Sequence, residues 1–431
     1  MSRPPCSAFG DQSTWSRREW LLRAGLTGIT GTLASGCSSR PEQTTTLVGG
    51  NLPAGRSDRS QLEAASDGVD TLARFPGKVA MRVINDRPTC LETPWRYFRH
   101  DLTPNEAFYV RWHLQAVPTA IDLKAWRLRI DGAVDRPLEL SMDDLRRLGG
   151  EEVVAVNQCS GNSRSLFGPR IAGAQWRNGA MGNARWAGVG LAKVLRAAGV
   201  RRDAVQVTFD GLDEGPLASV PDFVKALDID HALQPEVTVA FAMNNEPLPT
   251  LNGFPARLVV PGWYATYWVK ALHKITVLPH RFEGYWMAKA YKIPTNPNGV
   301  EDPKVKLSDH LIPINRMNIR SFVTSPDPGS TISPGRAVEI EGIAFDGGSG
   351  VRGVEVSADG GSTWASAVLG EDLGRYSFRR WRYRWTPSSR GQHRLRSRAT
   401  AGDGQVQPDK VGWNRGGFMR NVVEEMTVHV A

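Results

Sequence analysis

The chain has 431 residues, of which 41% are hydrophobic and 23% charged, so it is a globular protein long enough for two domains. Its net charge of +9 favours an anionic substrate, cofactor or partner. The sequence has no zinc-finger spacing, aromatic RNA-binding motif or fixed-period repeat, which argues against nucleic acid binding and against a solenoid.

Residues 1–37 have the pattern of a twin-arginine export signal. Arg17 and Arg18 form the arginine pair within residues 16–21. The weakly apolar residues 21–36 that follow are too few to span a membrane. The pattern predicts a periplasmic protein that folds before export. An ordinary amphipathic helix containing two arginines is the alternative.

The end of this leader also resembles a lipoprotein cleavage box. At residues 33–37 the box would make Cys37 the lipidated N-terminus of a membrane-tethered protein, whereas cleavage nearby would leave the protein without a lipid. Residues 38–70 are polar and rich in Gly, Ser and Thr, which predicts a flexible linker.

Residues 71–316 are predicted to form a first domain of mixed α and β structure. Leu128 and Ile130 alternate with charged residues, which indicates a strand with one buried face. Ser141 stands where a helix cap belongs, with an acidic residue three positions on. Residues 191–198 have a short helical pattern that stops at a glycine.

Residues 317–431 are predicted to form a β-sandwich. Val338 and Ile340 alternate with glutamates, and three aromatic residues alternate with three arginines in residues 380–385. Gly, Asp, Ser and Pro clusters separate these short runs. The arginine row is either the solvated side of a strand or a docking site for an anionic partner.

A cysteine at the end of an apolar strand is the first candidate for chemistry. Residues 153–158 are predicted to be a strand that runs into a polar, glycine-containing loop beginning at Cys159. Such a loop presents a thiol at the end of a rigid element. A lone cysteine is otherwise most often a small buried hydrophobic residue.

Five blocks of sequence resemble the sulfite oxidase family of molybdenum enzymes. Residues 158–164 match its cysteine loop, residues 104–113 the strand of its substrate arginine, and residues 288–294 its active-site tyrosine segment. Residues 180–186 and 221–231 are most similar to the bacterial branch of the family.

The resemblance extends over residues 93–428 and implies an α+β fold. A mixed α/β molybdopterin domain of the sulfite oxidase type would be followed by an immunoglobulin-like β-sandwich, which commonly mediates dimer contacts in the family. A homodimer and a heteromer with a cytochrome subunit are both compatible with the residues.

The family's molybdenum ion is held by the dithiolene of molybdopterin and by one cysteine thiolate, and the resemblance implies that Cys159 is this ligand. Soft thiolate donors suit the metal. Cys6 and Cys37 lie in the leader, which leaves Cys90 as a second thiol. An oxidising compartment would permit a disulfide between Cys90 and Cys159, but metal ligation by Cys159 requires it free, so no disulfide is expected.

The resemblance implies three catalytic side chains. Arg111 would bind a small oxyanion, since a guanidinium stays charged and binds such groups with two hydrogen bonds. His113, two residues on and on the same strand face, would contact substrate or cofactor. Tyr291 would hydrogen-bond to substrate and help move protons. A structural ion pair, a core histidine and a buried tyrosine are the alternatives.

Family positions for the pterin and its phosphate are also matched. An aspartate suits pterin N–H groups, while Arg and Lys suit phosphate. The implied cofactor-binding residues are His113, Asp213, Asn252, Arg257 and Lys270.

Two positions depart from the animal enzymes. Asn252 replaces a histidine but keeps hydrogen-bonding capacity. Gly416 falls where animal enzymes carry an additional anion-binding arginine, and Arg415 is the candidate to replace it.

The implied function is oxidation of sulfite to sulfate with electrons passed to a c-type cytochrome. The chain has no haem-attachment motif, and we expect no haem or flavin in it. The alternative is the molybdenum subunit of a sulfane dehydrogenase in the thiosulfate-oxidising system, which acts on sulfur bound to a carrier protein. A non-catalytic exported binding protein is the remote alternative.

Overall fold

The computed structural model describes residues 72–296 and 299–431, which are mostly β-sheet with few helices. The predicted export signal, the linker, Cys6 and Cys37 lie outside the described residues. The α+β class predicted from the sequence is confirmed.

Three sheets form the first domain. The first has the order β1-β2-β3-β4, the second β10-β9-β14-β5-β6 and the third β12-β11-β8-β7, with β13 also paired to β11. Only β5 and β14 pair in parallel within these sheets. A separate hairpin joins β15 to β16. The strands are β1 (Leu72–Arg74), β2 (Ala80–Asn85), β3 (Cys90–Glu92), β4 (Val110–Arg111), β5 (Leu128–Gly132), β6 (Leu138–Leu140), β7 (Glu151–Gln158), β8 (Met181–Gly190), β9 (Gln206–Gly211), β10 (Lys225–Asp228), β11 (Thr238–Met243), β12 (Glu246–Pro247), β13 (Arg257–Val259), β14 (Leu272–Leu278), β15 (Lys292–Pro294) and β16 (Leu311–Pro313).

The helices are short. Ser141 caps the first of them in a capping box, because its hydroxyl accepts from the Asp144 N–H and the Asp144 carboxylate accepts from the Ser141 N–H. Gly199 ends the second in a left-handed conformation. Both predictions are confirmed. No helix within residues 72–296 and 299–431 is long and apolar enough to cross a membrane. The helices are α1 (Met142–Leu148), α2 (Leu191–Ala198), α3 (Ile229–Ala232) and α4 (Tyr285–Ala288), and the 3-10 helices are Trp95–Arg99, Arg164–Leu166, Thr250–Asn252 and Ala265–Tyr267.

Two sheets form the C-terminal sandwich, as the strand pattern predicted. One has the order β17-β19-β23-β22 and the other β18-β25-β24-β20-β21. Apolar residues of both inner faces form one core, which includes Ile340, Trp381 and Leu395. The strands are β17 (Arg320–Ser325), β18 (Thr331–Ile332), β19 (Val338–Phe345), β20 (Val351–Ser357), β21 (Ala365–Ser366), β22 (Val368–Leu369), β23 (Arg379–Trp385), β24 (Gly391–Ala401) and β25 (Glu425–Val430).

The arginine row on β23 faces glutamates on the neighbouring strand β19. Arg380 lies 3.4 Å from Glu341, and Arg382 lies 3.9 Å from Glu339. Cross-strand pairs of opposite charge stabilise an exposed sheet face. The pairing favours the solvated-strand interpretation of this row over an anion-docking site.

A buried ion network joins the sandwich to the first domain. Glu424 accepts hydrogen bonds from Arg320 at 2.7 Å and from Arg420 at 3.0 Å, and all three side chains are buried. Arg320 also donates to Ser163 at 2.7 Å and to Asn178 at 2.8 Å. Because Ser163 belongs to the cysteine loop, the sandwich helps to hold that loop in place.

Candidate functional site

Strand β7 delivers Cys159 to the floor of a cavity, as the sequence pattern predicted. The Cys159 N–H donates to the carbonyl of Ala180 at 2.9 Å, and the Cys159 carbonyl accepts from the Asn162 N–H at 3.0 Å. The Asn162 side chain in turn accepts from the Ala180 N–H at 2.9 Å. These bonds fold the loop back on strand β8 and leave the thiol at a fixed position.

The cavity is lined by most of the predicted site residues. Arg111, His113 and Tyr291 line it together with Cys159, although they come from distant parts of the chain. Asn252, Arg257 and Lys270 line it as well. Asp213 does not line the cavity. The remaining lining residues are Tyr109, Asn157, Ser160, Leu251, Ala265 and Thr266.

Arg111 ends the short strand β4, directly opposite Cys90 on β3. Burial alone would lower the pKa of Arg111, but Tyr291, Cys90 and Cys159 raise it, and the net pKa lies above the ordinary value. The guanidinium therefore remains charged at any physiological pH. Cys90 and Cys159 are both free thiols.

His113 and Tyr291 form a hydrogen-bonded pair. The His113 Nε2 lies 2.6 Å from the Tyr291 hydroxyl, and the Phe223 ring stacks on the imidazole with 3.5 Å between centroids. Burial, together with Arg111, Lys270 and nearby cations, holds the pKa of His113 well below its usual value. The imidazole is therefore neutral near pH 7, and its tautomer decides which partner donates.

Tyr291 has a positive φ of 53°, which is uncommon for an aromatic residue. Its carbonyl accepts from the Ile314 N–H at 2.8 Å, which helps to hold this backbone. Burial raises the pKa of Tyr291, and the adjacent Arg111 offsets only part of that effect. The phenol is therefore protonated and can donate a hydrogen bond.

Two further cations line the cavity without an acidic partner on its wall. Arg257 is buried, and its guanidinium donates to the carbonyls of Asn252 at 2.9 Å and Trp268 at 3.2 Å. Burial lowers the pKa of Arg257 to about 10 and that of Lys270 to about 7. Two desolvated cations at one wall favour an anionic ligand group there.

Asp213 lies behind this wall, close enough to Lys270 for the two charges to interact. Burial raises the pKa of Asp213 to about 6. Its role as a pterin contact remains a prediction. In the structure, its negative charge raises the pKa of Lys270 and so offsets part of the effect of burial.

Asn252 lies on the cavity wall, but its amide already has protein partners. Its oxygen accepts from the buried Lys78 ammonium at 2.6 Å, and its nitrogen donates to the Tyr109 carbonyl at 3.0 Å. Lys78 also donates to the carbonyls of Asn105 and Phe108 at 2.7 and 2.9 Å. The Asn252 side chain therefore links Lys78 to the backbone at Tyr109.

Arg415 is paired with an acidic side chain outside the cavity. Its Nε donates to both carboxylate oxygens of Glu301, at 3.0 and 3.1 Å, and it also donates to the Ser308 carbonyl at 2.7 Å. This pairing directs Arg415 away from the cavity, which it does not line. The pairing with Glu301 does not support the candidate role given to Arg415 from sequence, which stays a prediction.

Two buried cations near the site were missed. Lys225, on β10, donates to the Trp286 carbonyl at 2.6 Å and lies 5.3 Å from the Tyr291 ring centroid. Arg164 donates to the Gly416 carbonyl at 2.9 Å. Both lie in blocks that carry the family resemblance, so the resemblance is the signal that could have found them.

Unpartnered polar atoms indicate that the cavity suits a polar ligand. Five lining side chains have a buried nitrogen or oxygen without a hydrogen-bond partner: His113, Asn157, Ser160, Arg257 and Thr266. Such groups are costly unless a ligand or water satisfies them. Within the described ranges no three His, Cys, Asp or Glu side chains converge on a metal position. Cys159 is the cysteine that lines the cavity. A polar pterin with a phosphate and a metal that needs one thiolate fits this donor set.

Comparison with known proteins also indicates a molybdopterin site. Residues 113–286 match the model of an oxidoreductase molybdopterin binding domain, and residues 312–431 match that of a Mo-co oxidoreductase dimerisation domain. The mitochondrial sulfite oxidase of Rattus norvegicus is 35% identical over 86% of this chain and 68% of its own length. That of Homo sapiens is 34% identical over 86% of this chain and 69% of its own.

A solved structure with the same architecture is the sulfane dehydrogenase SoxCD from Paracoccus pantotrophus. It superposes with a TM-score of 0.69 and 25% sequence identity, over 80% of this chain and 88% of the matched chain. The similarity therefore includes both domains.

Proposed function

This chain belongs to the sulfite oxidase family of molybdopterin oxidoreductases, and from that premise we propose that it oxidises sulfite to sulfate. Sulfite and water give sulfate, two protons and two electrons. The observation that carries the proposal is the convergence of Arg111, His113 and Tyr291 on the cavity that contains Cys159.

Arg111 supplies the charge that binds the substrate. Sulfite is a small dianion, and a guanidinium that cannot lose its proton offers two parallel N–H donors to its oxygens. The neighbouring Tyr291 hydroxyl donates a further hydrogen bond and orients the oxyanion. Together the two side chains would bind the substrate in the cavity that also contains Cys159.

The hydrogen bond between Tyr291 and His113 determines how the phenol proton is used. Since the pKa of Tyr291 is raised and that of His113 is lowered, the proton stays on the phenol. If the neutral imidazole carries its proton on Nε2, it donates to the Tyr291 oxygen at 2.6 Å and leaves the hydroxyl proton free for the oxyanion. The Phe223 ring covers one face of His113 and keeps bulk water from it.

The molybdopterin cofactor supplies the two-electron and oxygen-transfer chemistry when bound. Cys159 would ligate the metal, while Arg257 and Lys270 would neutralise the anionic part of the pterin. The unpartnered atoms of Asn157, Ser160 and Thr266 would complete its hydrogen bonds.

We further propose that the enzyme works in the periplasm and passes its electrons singly to a c-type cytochrome. The arginine pair at residues 17–18 supports export in the folded state, which suits an enzyme loaded with its cofactor in the cytoplasm. The match of residues 312–431 to a dimerisation domain indicates an oligomer. Whether the partner is a second copy or a cytochrome subunit is part of the test.

Oxidation of carrier-bound sulfane sulfur is the second candidate function. It is favoured by the similarity to the SoxCD structure, which extends through both domains. Arg415 pairs with Glu301 and does not line the cavity, whereas Arg164 donates to the Gly416 carbonyl and is close enough to Cys159 and Tyr291 for their charges to interact.

Metal analysis and a sulfite assay on one preparation of the exported protein test the proposal. Near-stoichiometric molybdenum with rapid sulfite-dependent reduction of cytochrome c or ferricyanide is the expected result. Molybdenum with slow sulfite turnover would favour the carrier-bound substrate. Protein without molybdenum, from a host that synthesises the cofactor, would refute both functions. Size measurement of the same sample distinguishes a homodimer from a complex with a cytochrome.

A further inference from the structure

A loop of the sandwich domain packs against the cysteine loop and against Tyr291. The Met419 N–H donates to the Ser160 carbonyl at 3.0 Å, and Arg164 donates to the Gly416 carbonyl at 2.9 Å. Within the loop, the buried Asn414 side chain donates to the Phe418 carbonyl at 2.8 Å and accepts from the Phe418 N–H at 3.0 Å. The loop is therefore held firmly against the cysteine loop of the first domain.

Phe418 is the side chain by which this loop contacts Tyr291. Its ring stacks on that of Tyr291, with 5.4 Å between centroids and 18° between planes. The Arg164 guanidinium carbon lies 5.3 Å from the Phe418 ring centroid. Phe418 thus contacts both Tyr291 and a buried cation. Because a phenol oxygen lies in the plane of its ring, the stack also constrains where the Tyr291 hydroxyl meets His113.

Gly416 makes room for this ring. A Cβ at position 416 would lie 2.4 Å from both Cδ2 and Cε2 of Phe418, a distance that real contacts do not allow. Any residue with a side chain at 416 would therefore push Phe418 away from Tyr291. Glycine is required at position 416 because the Phe418 ring occupies the space that a side chain would need.

From this geometry we propose that Phe418, admitted by Gly416, is a positioning residue that fixes the Tyr291 hydroxyl for the oxyanion. The second domain then contributes to the chemistry of the first, beyond any role in dimerisation. The inference rests on the proposed function, in that the oxyanion is taken to be sulfite or its product, sulfate.

The test is a set of double-mutant cycles on the molybdenum-loaded enzyme. Sulfate binding is measured by titration calorimetry, and kcat and KM are measured with sulfite. Phe418→Leu keeps an apolar side chain but removes the ring. We expect it to weaken sulfate binding and to raise the KM about two- to tenfold, the range that an aromatic pair contributes. Gly416→Ala should have the same effect.

Coupling distinguishes positioning from a general loss of packing. The pair Gly416→Ala with Phe418→Leu should be no worse than Phe418→Leu alone. In a Tyr291→Phe background, Phe418→Leu should leave sulfate affinity unchanged, because the hydroxyl it positions is gone. Gly353→Ala is the matched control, since a Cβ at Gly353 meets nothing within 4 Å.

Parent-like sulfate affinity in Phe418→Leu, or an equal loss with and without the Tyr291 hydroxyl, would overturn the inference. If the couplings appear in sulfate binding but sulfite is not oxidised, the proposed function fails while the positioning role stands.

Discussion

Glu424→Gln is expected to destabilise the protein strongly. Glu424 is the carboxylate that pairs with both Arg320 and Arg420, and the three side chains are at most 4% exposed. Glutamine leaves two buried guanidinium charges without an acid. Removing one partner of a buried pair costs about 3–5 kcal/mol, because the remaining charge is desolvated and uncompensated. At about 2 °C per kcal/mol, the melting temperature should fall by at least about 6 °C.

The matched control is Glu355→Gln in the same domain. Glu355 pairs with Arg398 at 2.8 Å, but its side chain is 42% exposed, so the same substitution should cost no more than about 1 kcal/mol. Calorimetric scans of both variants at one scan rate make the comparison. Equal losses in the two variants would refute the reasoning that burial decides the cost.

Glu424→Gln should also affect the binding of molybdenum at the site. Arg320 donates to Ser163, which has a left-handed φ of 68° and lies in the cysteine loop. If Arg320 loses its carboxylate, that contact loosens, and we expect a lower molybdenum content in Glu424→Gln but not in Glu355→Gln.

Three further predictions concern the site. Cys159→Ser should abolish molybdenum-dependent turnover while keeping the melting temperature near that of the parent; wild-type activity would contradict the ligand assignment. Arg111→Met should lower kcat/KM for sulfite about ten- to hundredfold, the contribution of a charged hydrogen bond. An equal effect of Arg129→Met, whose side chain is 63% exposed, would contradict it. Burial lowers the pKa of Lys225 from 10.5 to about 7. Between pH 7 and pH 10.5 the folded chain therefore binds fewer protons than the unfolded chain. Stability should therefore rise with pH over that window, by up to about 1.4 kcal/mol per pH unit, and Lys225→Met should remove this contribution from melting temperatures measured across it.

Local features could be predicted from the sequence because their partners are near in the chain. The capping box needs only Ser141 and Asp144, three positions apart. The buried strand before Cys159 follows from a run of apolar residues, and the sandwich strands follow from alternation. In each case the pattern that identifies the element is contained within it.

The assembly of the site is a different matter. Arg111, Cys159 and Tyr291 belong to separate blocks, and it was the family resemblance that predicted their convergence. Periodicity contains no information on contacts between distant segments.

Two pairings that the sequence did not indicate have the same origin. Arg415 pairs with Glu301, which lies 114 positions away, and no local pattern marks that partner. Lys78 reaches Asn252 across 174 positions, and a lysine near the start of a strand would ordinarily be read as exposed. Long-range pairing of this kind follows from the packed structure alone.

The bond between Arg164 and the Gly416 carbonyl closes a loop of 252 residues. Segments that are far apart in sequence must therefore meet before the cysteine loop reaches its final position, and the entropy lost in closing so long a loop has to be offset by other contacts. The buried network of Glu424 and Arg320, which reaches Ser163, supplies such contacts. Folding of the sandwich and ordering of the catalytic loop are thus coupled.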